Sequence, residues 1–417
     1  MRASRLRHAP SHSTIWSMNT YLVGGVVRDM LLGQPVTERD WLVTGTTGDT
    51  LAELGFKPVG KDFRVFLHPV SKEEYALPRG TTNLGNTRDI VEQDLLLRDL
   101  TVNAIAIAAD GEIIDPLSGL RDIEARVLRH TPGFSQDPVR ILRLARLAAR
   151  LADMGFRIAP ETIALVQEMT ASQALAGIRP ERVWSEIVKA LAESRPWLFF
   201  DSLRTLGALK EILPELDCLF GVPQPEAHHP EIDTGIHSLL ALERACELSE
   251  EPQVRLAALL HDVGKGTTPR EEWPRHIGHE LRGARLAAAL CRRLRTPNHY
   301  LELAVSTARL HTDCHRAWQL KPATLLKKLK QLDALRRPER MEQLLLACTA
   351  DLRGRPGYEQ LRYTQADFFR LVLQAARQID GSDIARPEED GRETGARIDR
   401  ARIQRIDVIR REWMARM

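Results

Sequence analysis

The side chains with the clearest chemistry stand near the start of the chain, where Tyr21-Leu22-Val23-Gly24-Gly25 runs into Val26-Val27-Arg28-Asp29 and then into Glu38-Arg39-Asp40-Trp41. Two glycines ahead of a helix bare backbone N–H groups at its positive end, and without side chains in the way a phosphate can come close. Glu38 and Asp40 are two apart, so on a strand they project from one face, where their oxygens can hold Mg2+ between them. The pattern predicts a strand, a glycine turn, an amphipathic helix carrying Arg28, and a second strand that starts with the acidic pair.

A second group of chemically capable residues begins at position 229. His237 lies in Thr234-Gly235-Ile236-His237-Ser238, His261-Asp262 ends the apolar run Leu256-Ala257-Ala258-Leu259-Leu260, His276 and His279 follow in what reads as a loop, and His311 and Asp313 come later. Adjacent His and Asp at a helix end, with a separate upstream His, supply mixed nitrogen and oxygen ligands suited to a transition metal.

Taken together, the glycine turn, Arg28 and the acidic pair resemble the nucleotidyltransferases of the DNA polymerase beta superfamily, in particular the bacterial CCA-adding tRNA nucleotidyltransferases. The resemblance implies that Glu38 and Asp40 are catalytic and hold Mg2+, and that Gly25 and Arg28 contact CTP or ATP. It also assigns the third carboxylate to Glu74, in Glu74-Tyr75-Ala76-Leu77, which alternates like a strand beside the acidic one; a charged strand end is the plain alternative. Leu97-Arg98-Asp99-Leu100-Thr101-Val102-Asn103-Ala104 matches a family segment whose first arginine is here Leu97. Arg98 would lie over the triphosphate, where a rigid fork suits phosphate, and Asp99 would orient the sugar or neighbouring side chains. Without the resemblance, the two read as an exposed helix start. The segment from Asp115-Pro116 through Gly119 and Asp122 to Leu128-Arg129 resembles the joint between catalytic head and neck.

In Gln136-Asp137-Pro138-Val139-Arg140-Ile141-Leu142-Arg143 the spacing from Asp137 to Arg140 puts an acceptor and a donor fork on one helix face. That pair matches the Watson-Crick edges of cytosine and adenine, each of which carries an exocyclic amine and a ring acceptor. In the resembling family this pair selects CTP and ATP without a nucleic-acid template, with Arg143 carried over as a further nucleotide contact. The loop Pro78 to Thr87 is shorter than its counterpart in relatives and lacks their acidic and aromatic residues. That departure keeps an A-only adding enzyme, a poly(A) polymerase and a catalytically degenerate tRNA-binding protein open as alternatives.

The later histidines resemble the HD phosphohydrolase domain, which implies His237, His261, Asp262, His279 and Asp351 as ligands of a transition metal such as Ni2+. Lys265 would steady developing charge. Phosphatase, 2′,3′-cyclic phosphodiesterase or 2′-nucleotidase activity is the chemistry implied. A head followed by this domain is the arrangement of the multifunctional bacterial type.

The expected fold class is α+β: a polymerase-beta-like head with a mixed sheet and helices, then an all-helical neck and body and a helical HD domain. The expected bounds are an extension over 1–17, the head over 18–130, the neck and body over 131–228, the HD domain over 229–355 and a helical C-terminal region over 356–417. The first 17 residues are basic and patternless, and Met18 is an alternative start. Lys and Arg total 59 against 56 Asp and Glu, so tRNA must be held by a local patch rather than a polycationic coat. Five scattered cysteines without C-x-x-C spacing argue against a disulfide framework and a zinc knuckle, and point to a reducing cytoplasm. No run has the roughly 20 apolar residues of a membrane span. The expected partners are tRNA, CTP and ATP, with the chain a monomer or homodimer and no membrane involved.

Overall fold

The computed structural model describes residues 18–36, 39–59, 64–80, 86–226, 229–380 and 391–416. The chain forms two compact units, Met1–Asp137 with Met154–Thr162, and Pro138–Asp153 with Ile163–Met417.

The first unit is built on a sheet. Strand β1 (Asn19–Val23), helix α1 (Gly25–Leu31), β2 (Asp40–Thr44), α2 (Gly48–Glu53), β3 (Lys57–Val59), β4 (Val65–Leu67), β5 (Glu74–Ala76), α3 (Thr87–Leu96), β6 (Ala106–Ala108), β7 (Ile113–Ile114), α4 (Gly119–Ala125) and β8 (Val127–Leu128) follow in order. The first seven strands make one mixed sheet in the order β3-β4-β5-β2-β1-β6-β7, in which only β2 and β5 run parallel. Val23, Leu42, Ala104, Ala106 and Ile114 pack with Val91 and Leu95 of α3, and this apolar cluster fixes one face of the central strands. Helix α3 was not expected from the polar run before it. Its start is an Asn86 side chain that accepts a hydrogen bond from the Asp89 N–H at 2.8 Å, an N-cap that the glycine and threonine signals around it obscure.

The second unit is helical: α5 (Val139–Arg150), then α6 (Pro160–Ala171), α7 (Pro180–Ala192), α8 (Pro196–Thr205), α9 (Leu209–Ile212), α10 (Pro214–Asp217), α11 (Thr234–Leu248), α12 (Pro252–Leu260), α13 (His279–Arg293), α14 (Asn298–His315), α15 (Pro322–Gln331), α16 (Pro338–Arg353), α17 (Thr364–Arg377) and α18 (Gly391–Met414), with α6 straddling the boundary between units. Proline opens α7, α8, α10, α12, α15 and α16, where its fixed φ suits the first turn and its missing N–H costs nothing. Phe368, Phe369, Leu325, Leu329, Leu344 and Leu345 form part of one continuous core among the later helices.

The structure departs from the sequence reading in several places. The region expected to be all helical contains β9 (Arg157–Ile158), which pairs in parallel with β8 and returns the chain to the first unit. The charged stretch ahead of Gly395 already belongs to α18, which starts at Gly391, while 381–390 lie outside the described residues. No helix among the described residues is long and apolar enough to cross a membrane.

Candidate active sites

In the first unit the glycine turn, one acidic strand and its neighbour converge. Asp40 is the first residue of β2 and is in register with Glu74, the first residue of parallel β5, so both carboxylates leave the sheet at the same level. Both are exposed, as ligands for a hard, partly hydrated cation should be. Glu38 lies outside the described residues, and the strand proper begins only at Asp40. Gly24 adopts φ 86° and ψ −148°, a region that essentially only glycine occupies. A Cβ placed there would lie 3.2 Å from Nη1 of Arg98 and 3.5 Å from Oδ2 of Asp40. The turn therefore lies against both the acidic strand and the Arg98 guanidinium.

Arg98 follows the end of α3 rather than starting an exposed helix. Its guanidinium is gripped by Asp94, with Nε donating to Oδ2 at 3.0 Å and Nη2 2.9 Å away, and the buried Asp94 is also fixed by the Arg79 N–H at 2.9 Å. Asp99 accepts from the Leu100 N–H at 2.9 Å and from Nδ2 of Asn103 at 3.0 Å, and Nη1 of Arg28 donates to Oδ1 of Asn103 at 2.6 Å. Arg28 is buried and also pairs with Asp29 at 2.8 Å. A Cβ on Gly25 would lie 3.3 Å from its guanidinium, so this network braces the turn from beneath.

Asp137 does not sit on a helix. Its φ of −140° and ψ of 101° are extended, as expected before Pro138, whose ring disfavours the helical region for the preceding residue. Pro138 is already helical and α5 begins at Val139, so Asp137 stands just ahead of the helix that carries Arg140, with the backbone expected of a residue before a helix start. Arg140 is half-buried and Arg143 exposed on α5, while Asp137 falls in the first unit.

In the second unit, the residues of the HD pattern come together from four elements. His237 projects from α11, His261 and Asp262 follow the end of α12, His279 opens α13 rather than lying in a loop, and Asp351 stands near the end of α16. Nε2 of His237 lies 3.1 Å from Oδ1 of Asp351, Nε2 of His261 lies 3.7 Å from the same oxygen, and Nε2 of His279 lies 3.4 Å from Oδ1 of Asp262. Gly264 is what lets α13 in: a Cβ there would overlap the carbonyl oxygen of His279.

The structure adds residues that the sequence reading left without a role. His311 on α14 places Nε2 3.2 Å from that of His279 and 3.4 Å from Oδ1 of Asp262. His315, one turn further on the same face, sits 2.6 Å from Oδ2 of Asp351, and its Nδ1 meets the Tyr363 hydroxyl at 3.0 Å. The His311 and His315 spacing of four was the readable signal. Glu231 lies 2.8 Å from Nδ1 of His237, and Lys265 donates to Oδ2 of Asp262 at 2.6 Å and to Oε1 of Gln224 at 2.5 Å. Backbone carbonyls orient the rings: Nδ1 of His261 lies 2.7 Å from the Ala258 oxygen, Nδ1 of His279 3.0 Å from that of His276, and Nδ1 of His311 3.1 Å from that of Thr307. Each ring therefore donates at Nδ1 and turns Nε2 inward, the arrangement of histidines that bind metal.

The electrostatics fit the same purpose. Burial alone would strip the proton from His261, but Asp262 and Asp351 beside it raise its pKa to about 9. Burial opposes ionisation of both aspartates, yet Lys265 and His261 hold Asp262 well below the usual carboxylate range, and His261, His315 and Arg355 do so for Asp351. A buried nest of ionised carboxylates and inward-facing imidazoles is a donor set for a divalent transition metal.

Comparisons with known proteins follow the same division. Residues 20–129 match the Poly A polymerase head domain, 155–219 the probable RNA and SrmB-binding site of polymerase A, and 234–351 the HD domain. The multifunctional CCA protein of Teredinibacter turnerae is 52% identical over 94% of this chain and 98% of its own, and that of Hahella chejuensis is 50% identical over 95% and 96%. The chain belongs to the multifunctional CCA protein family. It is accordingly an enzyme of two parts, a nucleotidyltransferase and an HD phosphohydrolase domain. Solved structures share the family's fold at lower identity: a CCA-adding enzyme in complex with CTP (TM-score 0.66, 20% identical, covering 96% of this chain and 91% of that one) and the Thermotoga maritima CCA-adding enzyme complexed with tRNA (0.62, 20%, covering 95% and 91%).

Proposed function

We propose that the first unit adds C, C and A to the 3′ end of tRNA from CTP and ATP, with Asp40, Glu74 and Glu38 holding Mg2+. Bound there, the metal would lower the pKa of the attacking 3′ hydroxyl and neutralise charge on the departing pyrophosphate. The chain's own residues supply the rest. The Gly24-Gly25 turn leaves room for the triphosphate, Arg98 presents a guanidinium that Asp94 has already oriented, and Arg28 keeps the turn in shape. Asp137, Arg140 and Arg143 read the base. The observation that carries this reading is the register of Asp40 with Glu74 beside the Gly24 turn, against which the Arg98 guanidinium also lies.

In the second unit, His237, His261, Asp262, His279 and Asp351 would hold a transition metal such as Ni2+, which when bound makes a hydroxide nucleophile available at neutral pH. Lys265 holds Asp262 in place and its charge favours a phosphate ester. The natural substrates on this reading are phosphomonoesters and 2′,3′-cyclic phosphates of nucleotides. The proposed organisation is a head to about residue 130, a neck and body to 228, the HD domain to 355 and a helical remainder.

The test is an extension assay with tRNA lacking its 3′ end, supplied with CTP alone, ATP alone and both, in Mg2+. Ordered addition of C, C and A supports the reading. Incorporation of A but never C makes the chain an A-adding enzyme, and no transfer from either nucleotide makes it a tRNA-binding protein.

A further inference from the structure

Two cations border the HD cluster, and they are committed to different degrees. Lys265 gives short hydrogen bonds to Oδ2 of Asp262 and to Oε1 of Gln224. Arg355 makes a longer one, from Nη2 to Oδ1 of Asp351 at 3.2 Å, and its Nε is buried without a hydrogen-bond partner among the described residues. A buried N–H left unpaired is costly, and a guanidinium carries five donors in a fork that matches a pair of phosphate oxygens.

The place of Arg355 follows from the packing of α16. It comes four residues after Asp351, just past the Gly354 cap of that helix. A Cβ on Gly354 would stand 2.8 Å from the backbone N of Ala241, so glycine lets the end of α16 close on α11, the helix that carries His237. The guanidinium thereby meets Asp351 at Oδ1, the oxygen that also faces Nε2 of His237 at 3.1 Å and of His261 at 3.7 Å, while Oδ2 is held by His315. The Arg355 side chain is 17% exposed where those of His237 and His261 are 0%, so of these three it is the one a dissolved ligand can reach.

Burial opposes the charge of Arg355, and Asp351, Asp262 and Glu231 sustain it. A divalent ion among the histidines would cancel much of that negative field and leave the guanidinium in want of an anion. We infer that Arg355 is a substrate-binding residue of the HD domain, its fork holding non-bridging oxygens of the phosphate ester. This rests on the phosphohydrolase reading and deepens it. With one oxygen on the ion, a phosphomonoester still offers two to the fork and a cyclic phosphate offers one, so Arg355 favours monoesters.

The test uses full-length Arg355→Gln and Arg355→Lys, loaded with Ni2+ beside the parent. Nickel per chain is measured, inorganic phosphate is titrated by calorimetry without Mg2+, and kcat and KM are taken on 2′-AMP and 2′,3′-cyclic AMP. Nickel content should be unchanged. Arg355→Gln should weaken phosphate on the order of 10–100-fold, the worth of hydrogen bonds to a charged group, and raise KM for 2′-AMP more than for the cyclic ester. Arg355→Lys should recover part of the loss, since it restores the charge without the fork. Nickel lost from both variants overturns the assignment, because Arg355 would then act only by positioning Asp351. Nickel retained, with phosphate affinity and both KM values within about twofold of the parent, overturns it too. A parent that hydrolyses neither ester and binds no phosphate overturns the phosphohydrolase reading itself, and this assignment with it.

Discussion

Asp40 and Glu74 are register partners on the only parallel strand pair of the first unit's main sheet, each the first residue of its strand. In a parallel pair, equivalent residues sit side by side about 4.8 Å apart, so two carboxylates at one level meet only if a cation lies between them or water separates them.

Neutralising one of the two should therefore remove catalysis while leaving the fold. Asp40→Asn is expected to lower incorporation of both C and A by more than the roughly 10–100-fold that outer-shell partners of a metal are worth, with tRNA affinity by filter binding unchanged. Retention of transfer within tenfold of the parent would remove Asp40 from the metal site.

Gly24→Ala tests the turn itself. Its positive φ and the Arg98 guanidinium 3.2 Å from the new Cβ both resist a side chain. A loss on the order of 1–3 kcal/mol in stability is expected from the backbone alone, and KM for both nucleotides should rise as the new side chain pushes on the Arg98 guanidinium. Denaturant melts and saturation curves check the two effects separately, and normal KM values would show that the triphosphate does not use the turn.

Because the two units carry chemically different donor sets, their activities should separate. His261→Ala is predicted to abolish transition-metal-dependent hydrolysis of 2′,3′-cyclic nucleotides yet leave C and A addition in Mg2+ within about twofold, since imidazoles do not favour Mg2+. Loss of both activities in a variant that melts like the parent would show the sites to be coupled.

The pH behaviour of the metal-free protein follows from His261. Its folded pKa of about 9 exceeds the ordinary value of 6.5, so the folded state binds the proton more tightly than the unfolded chain does. The stabilisation is complete below pH 6.5 and is lost as pH rises through 9, a decline on the order of 3 kcal/mol. The melting temperature of chelator-treated protein should fall between pH 6.5 and 9.5, and saturating Ni2+ should remove that slope by displacing the proton. A flat profile in the metal-free state would contradict the charge assignment.

The parts of both sites that sequence made legible are those fixed by short-range pattern. Gly24-Gly25 ahead of an apolar helix, and His261-Asp262 closing another, follow from local chemistry, and the strand alternation around Glu74 placed it next to Asp40. Asp137 is local too: Pro138 holds its predecessor in extended backbone, so Asp137 stands just ahead of α5. His311 lies 50 residues beyond His261, and only the packing of α13 against α14 brings its ring to Asp262. Glu231 carries no pattern in the sequence, yet in the fold its burial is outweighed by the His229 and His237 rings, which hold its pKa down to about 2.

The return of the chain through β9 governs how the protein can be made. Strand β8 has no partner until Arg157 and Ile158 arrive, and the first unit is not closed until Thr162. During synthesis at about 5–20 residues per second, a nascent head that has emerged as far as Asp137 waits on the order of seconds for its last strand. A gene fragment cut within α5 would release a head whose seven-stranded sheet is complete but whose β8 is left without β9. A piece that keeps β8 paired extends through Ile158 and carries α5 with it.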